Sequence, residues 1–128
     1  MSAYENVKIF KISGDTNAAV ARNVGAQNAT KEYLFFIDGD MEILPLFFKY
    51  IVKENNIIYD FISGDYIGYY YKNDKLEYTK NYYNLKNDVF QNTTGGVFII
   101  KKTLWNKVSG MKMKYRRCQD LDLGLRSE

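Results

Sequence analysis

The 128-residue sequence contains no histidine. That absence excludes Ser-His-Asp and Cys-His catalysis, histidine-ligated zinc and histidine proton shuttles. The single cysteine, Cys118, permits no intrachain disulfide and suits a reducing compartment. The single proline, Pro45, leaves no proline-rich linker, and no repeat or low-complexity tract is present. Excess charge is also scarce: Lys plus Arg number 18 against 15 for Asp plus Glu, a net +3. So mild a balance does not predict binding to nucleic acid, or to anionic membranes, by charge alone. Apolar runs such as residues 33–37 fall far short of a membrane span, and the polar first six residues carry no targeting signal. The reading is cytoplasmic, with a membrane-peripheral placement left open.

What is present suits one globular domain over residues 1–128: 46% hydrophobic and 26% charged residues are near the globular norm. A chain of this size buries roughly two-thirds of its unfolded surface. Residues 7–12 alternate apolar and basic side chains, as a partly exposed strand does. Ser13-Gly14-Asp15-Thr16 follows as a turn offering N-cap residues, ahead of a helix over residues 17–30. Residues 33–37 form a continuous apolar strand of the kind covered on both faces. Pro45 opens a helix to about residue 54, with Leu46, Phe47, Tyr50 and Ile51 at core spacing. Residues 60–71 read as one or two strands interrupted by Gly64 and Gly68, and residues 72–92 as an irregular polar loop. A strand at 97–100, a short helix at 102–109 stopped by Gly110, and a last helix at 118–127 complete the order. This alternation predicts an α/β fold with a largely parallel sheet.

Three groups of residues can carry chemistry. Asp38-Gly39-Asp40 follows the strand at the edge where α/β proteins place ligands, and two carboxylates there can hold one hard cation with open positions. The same residues also make an ordinary turn. Strand-terminal Asp-x-Asp occurs in haloacid-dehalogenase-like phosphatases too, but Glu42 stands where those enzymes need Thr or Val. Arg22, alone among the first 115 residues in being arginine, is a planar donor suited to a phosphate or a pyrimidine edge, or else a surface residue of its helix. Asp120 opens the last helix, where the helix dipole keeps a carboxylate charged; it can serve as a general base or simply compensate that dipole. Twelve tyrosines, many between residues 59 and 83, offer either sugar-stacking surface or plain core and strand residues. The basic run at 112–117 is either solvated loop or a steering patch for phosphate-bearing ligands.

In order and approximate spacing, Ala21-Arg22-Asn23-x-Gly25, residues 32–40, Thr94-Gly95-Gly96, Gly110 and Gln119-Asp120-x-Asp122-Leu123-x-Leu125-Arg126 resemble a family 2 glycosyltransferase of the GT-A fold. The resemblance implies a three-layer α/β/α sandwich and sugar transfer, with inversion, from a nucleotide-diphosphate sugar, UDP-linked in the first instance, to a glycan or lipid-linked acceptor. It implies that Asp40 binds Mn2+ or Mg2+, with Asp38 on the ribose or supporting the metal. Arg22 then lies on the nucleotide side, Gly95 and Gly96 leave room for the donor sugar, and Asp120 takes the acceptor proton. The family's two leading strand–helix units have no counterpart, which makes the chain resemble an N-terminally truncated domain. On that reading residues 7–12 either find a new neighbour or stay detached, and unpaired sheet edges favour self-association. A non-catalytic carbohydrate- or partner-binding module of the same fold is the alternative.

Overall fold

The computed structural model describes residues 5–54, 56–57, 59–64, 66–82, 97–112 and 123. The first regular element is α1 (Ala18–Asn28). Its cap is Asn17, one residue beyond the expected turn: extended at φ −150°, its side chain accepts from the Val20 N–H at 3.0 Å. Ala19 and Ala26, two turns apart, are the buried side of α1, and small side chains let the helix axis come close to its neighbours.

Then follow β1 (Tyr33–Ile37), α2 (Phe47–Ile51), β2 (Val52–Lys53), β3 (Asn56–Ile57), β4 (Phe61–Ser63), β5 (Tyr66–Lys72), β6 (Lys75–Tyr82), β7 (Val97–Lys101) and α3 (Lys102–Lys107). The main sheet has the order β1-β7-β4, and both pairings are antiparallel. The largely parallel sheet expected from the alternation is therefore corrected. β7 lies between β1 and β4 and runs against both, so the two parallel strands flank it instead of touching. Its central position also explains its burial: Val97, Phe98, Ile99 and Ile100 are all buried, whereas in β1 only Leu34 is. The strand covered on both faces is β7, not β1.

One face of this sheet carries Leu34, Phe36, Phe98 and Ile100, paired across the ladder as Leu34 with Ile100 and Phe36 with Phe98. Phe36 stacks on Phe98 at 4.7 Å and on Trp105 of α3 at 4.9 Å, and Phe61 meets Phe98 at 5.9 Å. Ala19, Ala26, Met111 and Leu123 complete this core. On the other face Phe35 stacks against Phe47 at 5.8 Å and meets Phe48 edge-on at 5.6 Å. Helix and strand are thus mixed around one antiparallel sheet; the α/β/α sandwich is a wider arrangement than these elements span.

Several expectations need correction. Residues 7–12 form no strand and pair with none of the described strands, and Val7, Ile9 and Phe10 are left exposed. An alternating pattern makes a strand only where an edge receives its backbone groups. The helix expected from Pro45 to residue 54 is five residues long, because Leu46 sits at φ 69°, outside the helical region. Leu46 and Tyr50 are exposed, and the chain leaves α2 directly into the small β2–β3 hairpin. Over residues 75–82 the expected loop is instead β6, paired with β5 through a two-residue turn in which Asn73 (φ 50°) and Asp74 (φ 62°) are both left-handed; residues 83–92 of that loop lie outside the described residues. Gly68 does not interrupt β5; it pairs opposite Lys80. Gly64 does end β4, where a Cβ would lie 2.6 Å from Val97 Cγ1. Of the expected helix at 118–127 only Leu123 is described, helical and buried; the rest lies outside the described residues.

Candidate functional site

β1 delivers Asp38 to its C-terminal end, and the chain turns at once: the Met41 N–H donates to the Asp38 carbonyl at 3.1 Å. Two residues on, Asp40 is exposed. A Cβ on Gly39 would meet nothing within 4 Å, so the space beside the turn is open. Facing it, α1 supplies Arg22, whose Nη2 donates to Asp38 Oδ1 at 2.7 Å. The Arg22 side chain is 11% exposed and that of Asp38 43%. The guanidinium carbon lies 5.8 Å from the centre of the Phe98 ring, and Nη1 donates to Met111 Sδ at 3.8 Å. Arg22 is therefore committed to holding Asp38 in place, with the ring of the central strand beneath it.

The next residue of α1 makes the other link. Asn23 Nδ2 donates to the Met111 carbonyl at 2.7 Å, and Asn23 Oδ1 accepts from the Met111 N–H at 2.9 Å. The amide thus satisfies both backbone groups of one residue, as a neighbouring strand would. The chain reaches this contact through Gly110 at φ 63°, where a Cβ would lie 2.8 Å from Asn23 Oδ1 and 3.1 Å from Trp105. Only glycine fits there. The sequence reading marked Gly110 and the Arg22-Asn23 pair but assigned Asn23 and Met111 no part. The available signal was the adjacency of a planar amide to the arginine in a motif otherwise made of small residues.

An open groove of about 670 Å³ runs along α1 and β1, with Phe10, Ala21, Arg22, Gly25, Phe35 and Asp38 among its walls. Of the residues singled out in sequence, the structure joins Arg22 to Asp38 and puts Asp40 in the same turn; Gly95, Gly96 and Asp120 lie outside the described residues. The donor set fits a hard divalent cation. It offers carboxylate oxygens only, and a cation such as Mg2+ keeps most of its positions for water and phosphate oxygens. Among the described residues no third carboxylate or cysteine completes an all-protein cluster. A cation here would be held jointly with a ligand's phosphates.

No curated protein and no solved structure matches the chain. The family model described as glycosyl transferase family 2 matches residues 1–117, nearly the whole of it, and the chain belongs to that family.

Proposed function

We propose that this glycosyltransferase moves a sugar from a nucleotide-diphosphate donor, UDP-linked, to a hydroxyl of a glycan or lipid-linked acceptor, with inversion at the anomeric carbon. The observation that carries the reading is the Asp38-Gly39-Asp40 turn at the end of β1, with Asp38 held by Arg22 beside an open groove. Asp40, with Asp38, would hold Mn2+ or Mg2+. When bound, that cation supplies charge neutralisation for the departing diphosphate. The acceptor oxygen bonds to the anomeric carbon as the bond from that carbon to the diphosphate oxygen breaks. Asp120 accepts the acceptor's proton, and nucleoside diphosphate leaves. Gly95 and Gly96 leave room for the donor sugar. Arg22 would lie on the nucleotide side and hold Asp38, whose other oxygen would serve ribose or metal. A cytoplasmic, membrane-peripheral placement and self-association through open strand edges belong to the same proposal.

The test is a thermal-shift panel of nucleotide-sugars with and without Mn2+. UDP-linked donors should raise the melting temperature only when the metal is present. Asp40→Ala should abolish that shift and leave the unliganded melting temperature within a degree or two, since an exposed turn carboxylate adds little to the core. Indifference of the unaltered chain to every nucleotide would overturn the proposal.

A further inference from the structure

We infer that Asn23 is a positioning residue for the carboxylate turn, acting on Asp38 through Met111 and Arg22. The inference rests on the reading of that turn as the donor site, and it adds a residue that makes no contact with the turn. Four side chains connect in series. Asn23 closes its amide on the Met111 backbone through two hydrogen bonds of 2.7 and 2.9 Å. The Met111 side chain is buried, and its sulfur receives Arg22 Nη1 at 3.8 Å. Arg22 Nη2 holds Asp38 Oδ1 at 2.7 Å. The series spans three stretches of sequence, with Met111 88 positions after Asn23 and Asp38 16 positions after Arg22.

The geometry gives each link a direction. A guanidinium with five donors in a fixed fork has two faces of use: one nitrogen aims at the carboxylate and the other at the sulfur. A thioether is a weak acceptor, so it selects an orientation more than it binds; its value depends on the sulfur standing still. Met111 follows Gly110, four residues past the end of α3, and pairs with none of the described strands. The Asn23 amide stands in for such a partner. With the amide removed, the Met111 backbone loses both bonds, the sulfur loses its fixed position, and Arg22 loses one of the contacts that set the plane of its fork.

Four variants of the full chain separate this from plain structural support. Amide shifts and hydrogen exchange are read by NMR, and UDP binding with Mn2+ by calorimetry. Asn23→Ala should perturb the signals of residues 110–112 and also of residues 38–41, and weaken UDP binding roughly tenfold, the scale of one or two lost hydrogen bonds. The β7 amides of Ile99 and Ile100 should keep their exchange rates. Asn23→Asp retains acceptance from the Met111 N–H but sets an oxygen against the Met111 carbonyl, so it should perturb both groups of residues as Asn23→Ala does; Met111→Leu serves as the reading if the alanine variant fails to fold. Met111→Leu keeps the amide closure and removes the sulfur, so residues 38–41 should shift while 110–112 exchange as before. Arg22→Lys should perturb residues 38–41 and shift the Met111 signal it touches, while exchange at 110–112 stays as before.

Perturbation by Asn23→Ala confined to 110–112, or a uniform rise in exchange that includes β7, would overturn the inference. So would a Met111→Leu chain silent at 38–41. If the unaltered chain fails to bind UDP with Mn2+, the donor-site reading falls. The amide signals alone then decide whether Asn23 positions Asp38.

Discussion

The part of the molecule built from α1, β1, β7 and α3 and the β5–β6 hairpin are held together in different ways. In the first, elements distant in sequence are joined by side chains bonded to backbone or to each other. Asn23 closes on Met111 and the Lys102 ammonium donates to the Ala29 carbonyl; the backbone adds the Lys102 N–H donating to the Glu32 carbonyl at 2.8 Å. In the second, the ladder of the hairpin is its main support, supplemented by Tyr70 stacked on Tyr78 at 4.5 Å; Tyr69, Tyr71, Leu76 and Tyr78 are half or more exposed. Of the candidate site residues, the described ones, Arg22, Asp38 and Asp40, fall in the first part. A carboxylate that must present its oxygens at a set place is served by neighbours that cannot move independently, and a two-stranded ribbon cannot provide that.

If that division is right, the largest effects come from the shared core. Phe98 is 1% exposed and carries contacts with Phe36, Phe61 and Arg22 together. Phe98→Ala should cost about 3–5 kcal/mol in urea unfolding, the range for deleting a buried aromatic. It should also release Arg22, so exchange at residues 38–41 rises with it. A cost near 1 kcal/mol would mean the core tolerates collapse around this ring and the division is too sharp. Gly110→Ala comes next, at about 2–4 kcal/mol, because the new Cβ meets Asn23 and Trp105 at a left-handed backbone position. Melting temperature and urea midpoint should fall together.

The Arg22–Asp38 pair sharpens the comparison, because its two members are unequally buried, at 11% and 43% exposed. Asp38→Ala takes this carboxylate from a nearly buried guanidinium and should cost about 2–3 kcal/mol. Arg22→Ala leaves a half-exposed carboxylate that water can reach, and should cost about 1–2 kcal/mol, mostly in packing over Phe98. The asymmetry is the test. Equal costs in denaturant titration would show that Arg22 is better solvated than its exposure indicates.

How much of this was legible beforehand follows from which signals are local. β1 was readable to the residue, because a five-residue apolar run between charged neighbours has one reading. β7 and α3 were placed within a residue or two at each end, and α1 lost only its frayed ends. Strand direction was not readable: it depends on where β7 inserts, a fact of long-range pairing that no window of sequence contains. α2 failed because the left-handed Leu46 outweighs good helical spacing. β6 is masked by a polar, tyrosine-rich composition that suits a loop, and the Asn73-Asp74 turn carries no glycine to signal a hairpin. At the site, Asp38, Asp40 and Arg22 were found as types with chemistry to perform. That Arg22 faces Asp38 requires α1 to be laid against β1, and Asn23 acquires a part only once Met111 arrives from 88 residues away.

The smallest effect belongs to the hairpin, and its sign is reversed. Asp74 occupies a left-handed position, φ 62°, in a two-residue turn whose second place favours glycine. Asp74→Gly relieves that conformation at the cost of a more flexible unfolded chain, for a net gain of about 0.5 kcal/mol or less. Because β5 and β6 depend chiefly on each other, the gain should stay local. Amide exchange across the Tyr70–Tyr78 and Tyr69–Thr79 pairs should slow about twofold, while exchange in β7 and at residues 110–112 is unchanged. Slowing that spreads to β7 would mean the hairpin unfolds with the core as one unit, and the contrast between the two regions would describe exposure alone, with no difference in how they are held.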